Sequence, residues 1–173
     1  MDTTAFNTAL ARLAKRDIES FLEQHSECFD QLLFFAISDD QPHAWRAAWI
    51  LGSIIEPGDI RVQHFVGSIV GALTNKTDGH TRELLRVLLL MELTEEHAGR
   101  VFDLCVQIWQ NPVKSPGLRM NALKMLVKIA DCFPELLPEV HLLLNYLYVA
   151  TLTPGARRSA ERIIQNLPSI EIQ

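Results

Sequence analysis

The chain has 173 residues, 48% of them hydrophobic, with 16 basic and 21 acidic side chains and a formal charge of −5. This length favours one domain over residues 1–173, able to bury roughly 70% of its unfolded surface without disulfides or a structural metal. The composition excludes a mainly disordered chain, and the longest apolar runs, Leu32–Ile37 and Val87–Met91, are too short to cross a bilayer.

In chain order, an N-terminal segment over residues 1–25 reads as two helices, about Thr4–Lys15 and Asp17–Gln24. It carries no charged region followed by an apolar stretch, so no signal peptide is expected. About four helix pairs follow over residues 26–167. The first helix of each pair is expected at Glu27–Ser38, Asp59–Leu73, Glu95–Gln110 and Pro138–Thr151. Strict apolar/polar alternation is missing there, and each stretch exceeds the usual strand length. The second helices begin at PHAWRAAWILGSII, GHTRELLRVLLLMEL, PGLRMNALKMLVKIA and PGARRSAERIIQNL, from Pro42, Gly79, Pro116 and Pro154. Residues 168–173 form a tail; LPSIEIQ alternates but is too short to build a sheet.

The four second-helix segments are spaced by 37, 37 and 38 residues. Each carries an arginine near its start: Arg46, Arg82, Arg119 and Arg157. Three positions later stand Trp49, Leu85, Ala122 and Ala160, and six later Gly52, Leu88, Met125 and Ile163. Apolar or small residues at that spacing are what one buried helix face requires. Proline at the openings suits a first helical residue, and Ser115, Thr153 and Asp78 are expected caps. Turns such as Glu56-Pro57-Gly58 and Asn75-Lys76-Thr77 are short, which forces antiparallel pairs.

Antiparallel A/B pairs with proline or aspartate before an arginine-bearing B helix resemble HEAT-like repeats. The resemblance implies an all-α fold, a right-handed α-solenoid of HEAT-like or armadillo-like pairs, with the B helices on the concave side. It also implies an aspartate–arginine ladder, for which Asp39, Asp40 and Arg46, and then Asp78 and Arg82, match; Arg119 and Arg157 lack the aspartate. The order AAWIL, VFDLC, MNALKML and ARRSAERI is also similar to a short all-helical bacterial family, some of whose members are labelled adenylosuccinate lyase. The mobile loop of such lyases resembles Ser-Ser-x-Met-Pro-x-Lys-x-Asn-Pro. Asn111-Pro112-Val113-Lys114-Ser115-Pro116 has other letters in another order, so that activity ranks last.

The residues point to no chemistry. Cys28, Cys105 and Cys132 form no CxxC pair and read as buried hydrophobes in a reducing, cytoplasmic setting. The six histidines form no HExxH or ExxH pair, and no metal or cofactor is expected. His43 and His80 are expected in exposed A/B turns. Glu19 and Glu23 read as a solvated acidic face. Gly67 and Gly71, a GxxxG pair, are expected to permit close helix packing. No GxSxG, GxGxxG or GxxxxGK[ST] occurs.

Charge is more informative. Residues 1–40 hold three basic and eight acidic side chains, and the other 133 balance at 13 each. The B segments hold nine basic residues against five acidic ones, and Arg82/Arg86, Lys124/Lys128 and Arg158/Arg162 are one turn apart. Candidate partner-binding residues are therefore Arg46, Arg82, Arg86, Arg119, Lys124, Lys128, Arg158 and Arg162. Trp45 joins them, while Trp49 is expected in the core. The function expected is a non-catalytic module, monomer or weak homodimer, binding a protein with an acidic surface on the B-helix face. The alternative is a nucleic-acid-binding or DNA-repair protein with a basic groove, which the acidic total disfavours. No membrane partner is expected.

Overall fold

The computed structural model describes Leu10, residues 15–144 and residues 146–167. Of the expected N-terminal helix Thr4–Lys15, only Leu10, which is helical and buried, and Lys15 fall among them; the tail after Leu167 lies outside. Helices span Lys15–Gln24 (α1), Phe29–Ile37 (α2), His43–Ile54 (α3), Ile60–Gln63 (α4), Val66–Ala72 (α5) and Asp78–Leu88 (α6). They continue with Glu95–Gln110 (α7), Pro116–Cys132 (α8), Leu137–Leu143 (α9), Tyr146–Ala150 (α10) and Pro154–Gln165 (α11). No strand occurs among the described residues.

Local chemistry sets the starts. The hydroxyls of Thr94, Ser115 and Thr153 accept from the N–H groups of His97, Leu118 and Ala156 at 3.3, 3.4 and 3.4 Å. Such bonds satisfy backbone donors that a first helical turn leaves unpaired. Pro116 and Pro154 are first helical residues as expected, whereas Pro42 stands one position earlier, capping α3. Thr77, not Asp78, caps α6, because its hydroxyl reaches the His80 N–H at 3.4 Å. The turn before α4 has Gly58 at φ 74, a left-handed conformation that costs glycine little.

The chain divides into two compact units, meeting in sequence at Glu92 and Leu93. In the first, α3 packs between α2 and α6, and α5 lies against α2 and α6. Ala44, Ala47 and Ala48 are wholly buried, so small side chains let α3 approach its neighbours closely. In the second, α8 packs against α7, α9 and α11. Ten of its residues are buried, Leu123, Met125 and Leu126 completely. Truncating such a leucine to alanine costs about 2–5 kcal/mol. Each unit thus holds two A/B pairs, α2/α3 with α4–α5/α6, and α7/α8 with α9–α10/α11. The repeat positions obey the pattern: Leu85, Ala122, Ala160, Gly52, Leu88 and Met125 are buried, and Trp49 and Ile163 half-buried.

Several expectations fail for identifiable reasons. Cys28 and Cys105 are buried, but Cys132 ends α8 and is exposed. Burial pushes the Cys105 thiol far above its ordinary range. A Cβ on Gly71 would meet open space, so Gly71 itself makes no close approach to another helix. His80 is fully buried rather than exposed, because the first turn of α6 faces the end of α2. The side chains of Glu19 and Glu23 lie outside those described.

Candidate functional site

Arg119 and Arg157, the two arginines that lack a matching aspartate, bond to oxygens of A helices and their turns. Asp39 and Asp40 meet Lys76 and His43 rather than Arg46. Lys76 also donates to the Ser38 carbonyl at 2.7 Å, and its ammonium holds the exposed Asp39 carboxyl below the usual carboxylate range. His80 Nε2 donates to the Ala36 carbonyl at 2.7 Å, while its Nδ1 accepts from the Gln41 amide at 2.9 Å. In the second unit Arg157 donates to the Ala150 carbonyl at 2.7 Å. Arg119 donates to the Trp109 and Tyr148 carbonyls and to the Thr151 hydroxyl, each at 3.0 Å. Residues near B-helix starts therefore tie up carbonyls at A-helix ends, where unpaired acceptors and the negative helix dipole favour cations. That explains why Arg119 and Arg157 need no aspartate.

This geometry removes Arg119 from the surface candidates. It is 1% exposed, and its guanidinium carbon lies 5.3 Å from the Trp109 ring centre. Trp109, fully buried, donates its indole N–H to the Leu143 carbonyl at 2.7 Å. Burial lowers the Arg119 pKa from its ordinary value, and the acceptor oxygens and aromatic face compensate for lost water.

Arg82 and Arg86 converge on one buried carboxylate. Glu83, 1% exposed, accepts from Arg82 Nε and a terminal nitrogen at 2.9 and 2.6 Å through Oε1, and from Arg86 at 2.7 Å through Oε2. Arg86 also donates to the Gly52 carbonyl on α3 at 3.2 Å. Trp45 is 37% exposed, with its indole against Gly79, where an added Cβ would stand 3.4 Å from Nε1. Glycine there admits the ring. A hollow lined by Pro42, His43, Trp45 and Arg46 measures about 150 Å³, room for one side chain but below the usual 300–1,000 Å³ of a ligand pocket. Arg46 is half-buried on α3.

In the second unit, Lys124, Arg158 and Arg162 are exposed and Lys128 half-buried. Between Leu118 and Ala130 the residues of α8 that are not buried are Lys124, Val127 and Lys128. The solvent-facing stripe of α8 is therefore basic until Asp131. On α11, Arg158 and Arg162 flank the exposed Glu161. The A helices of this unit carry the opposite charge: Glu95, Glu96, Asp103 and Glu139 are all exposed, with Arg100 among them.

The sequence reading missed the burial of Glu83, His80 and Arg119, since polar letters at B-helix starts carry no burial signal. Among the described residues no group of three histidines, cysteines or carboxylates could hold a metal ion, and no helix is long and apolar enough to cross a membrane.

Paired helices repeating at this interval, with α6, α8 and α11 bonded to A-helix carbonyls, define an all-α helical repeat protein. The HEAT repeat domain profile matches residues 6–167, and the chain belongs to that family. No curated protein and no solved structure matches the chain significantly.

Proposed function

We propose that this protein is a non-catalytic interaction module that binds an acidic protein partner through its B helices. The observation that carries this reading is α8, nearly all of whose core-spanning length is buried except the stripe holding Lys124 and Lys128. Lys124, Arg158 and Arg162 make no hydrogen bond or ion pair among the described residues. They are cations available to a partner. HEAT repeats commonly present extended surfaces to other proteins, which agrees with this use.

The test is a quadruple variant, Lys124→Glu, Lys128→Glu, Arg158→Glu and Arg162→Glu. None is a buried residue, so the helical spectrum should be unchanged, with a stability change near the usual ±0.5 kcal/mol per surface site. Binding of a glutamate-rich peptide should be lost, and for the parent chain should weaken with salt as charges beyond about 8–10 Å are screened. Full binding by the variant sinks the proposal. Tight, steeply salt-dependent binding of duplex DNA by the parent, abolished in the variant, would favour the nucleic-acid reading instead.

A further inference from the structure

The second unit spans Leu93–Gln173 and holds eight basic and eight acidic side chains, so the chain's charge of −5 lies wholly in the first unit. The two signs are nevertheless sorted between its layers. α7 and α9 lie side by side, the Trp109 indole bonded to the Leu143 carbonyl, and α8 and α11 form the other layer. Each layer buries its apolar residues, Val101 on α7 and Leu126 on α8 completely, so its exposed side chains face outward. Asp103 on α7 and Glu139 on α9 are exposed, 36 residues apart. Lys124 on α8 and Arg162 on α11 are exposed, 38 apart, at one position of successive B helices. Both intervals are close to one repeat, and neighbouring helices lie about 8–10 Å apart. Two carboxylates on one layer are therefore spaced like two cations on the other. None of the four makes a hydrogen bond or ion pair among the described residues. Arg100 in the A layer, and Asp131 and Glu161 in the B layer, are the exposed exceptions to the sorting.

We infer that the acidic partner of the B layer is the A layer of a second copy of this chain, Asp103 and Glu139 of one copy facing Lys124 and Arg162 of the next. Charge complementarity carries the choice of occupant: one unit supplies both the cations and, at the matching interval, the carboxylates. A unit without net charge does not repel its copies, and net charge near zero promotes association. The contact is heterologous, one kind of face meeting the other, so each added copy leaves one face of each kind open at the ends. Association therefore extends beyond a dimer unless the rotation between copies closes a ring. Exposed charge pairs are individually weak and screened by salt, so the assembly forms at high protein concentration and low salt. The inference rests on the B helices being a recognition face, and it names the partner of that face.

The experiment is sedimentation velocity of the full chain over a concentration series, at about 0.01 M and about 1 M salt, where the screening length falls from about 30 to about 3 Å. The weight-average sedimentation coefficient should rise with concentration at low salt and stay at the monomer value at high salt. A monomer at every concentration in low salt overturns the inference, as does association that survives high salt. Two double variants locate the faces. Lys124→Ala with Arg162→Ala removes the basic pair, and Asp103→Ala with Glu139→Ala removes the acidic pair. All four residues are exposed, so both variants should keep the parental helical spectrum. Each should be monomeric alone. Their mixture should form a one-to-one complex that grows no further, because only one intact face of each kind remains. Self-association of either variant, or a mixture that stays monomeric, refutes the paired faces. A monomeric parent that still binds the glutamate-rich peptide would overturn this inference and leave the B-helix reading standing; a parent that does neither overturns both.

Discussion

His80 is fully buried and gives both ring nitrogens to fixed partners. Only the neutral ring can accept from Gln41 at Nδ1 while donating to Ala36 at Nε2. Desolvation accordingly lowers its pKa; the Ala36 bond and the Asp39 charge oppose this, and Lys76 adds to the lowering. A depressed folded-state pKa means that the unfolded chain takes up the proton first. The stabilisation is therefore complete above the unfolded value of about 6.5 and is lost as pH falls through the lower folded value. Denaturant unfolding from pH 7.5 to 5 should show declining stability, and His80→Gln should flatten that decline. An equal slope in both proteins would assign it to other groups. The lowered carboxyls of Asp39 and Asp59 act in a separate window, below about pH 4.

Arg119 acts between elements, tying the start of α8 to carbonyls at the end of α7 and within α10. Its loss would take the donor from the buried Trp109 carbonyl, at about 1–3 kcal/mol, and open a cavity beside the Trp109 ring, at about 2–5 kcal/mol for a side chain of this size. Arg119→Ala should therefore lower unfolding stability by about 3 kcal/mol or more. Arg119→Lys should recover only part of that, because an ammonium cannot span the same acceptors in fork geometry. Equilibrium urea unfolding checks both, and near-parental stability in the alanine variant would show the carbonyls to be solvated. The first-helix patterns at Asp59–Leu73 and Pro138–Thr151 were legible, yet α4/α5 and α9/α10 each divide into two helices. The break in the first falls at His64–Phe65, where neither proline nor glycine intervenes.

For the whole molecule, the repeat logic makes the last pair structural. A fragment ending at residue 133 would lack α9, α10 and α11, all of which contribute to unit two. Trp109 would lose the Leu143 carbonyl and Arg119 the Tyr148 and Thr151 oxygens. Apolar surface on α8 would meet water, since a repeat buries its face against its neighbours. The fragment should aggregate, or retain a transition from its first unit only, with Trp109 fluorescence shifted to a solvent-exposed maximum. A native Trp109 environment in a soluble fragment would refute this dependence.

The sequence by itself determined the class, the repeat interval, the B-helix starts and most of the core. These follow from local rules: apolar spacing, hydroxyl caps and proline at a first helical position act over a few residues. Tertiary structure decided which polar residues belong to the surface. Arg82, Arg119 and Arg157 were equivalent by position, yet one is half exposed on Glu83, one is buried on carbonyls and an indole, and one reaches Ala150. Their fates depend on oxygens supplied by helix ends distant in sequence, or by a neighbouring carboxylate whose burial only packing creates. Lys124 is exposed and Lys128 half-buried because α8 is covered on its other faces, a fact set by the neighbours packed around it.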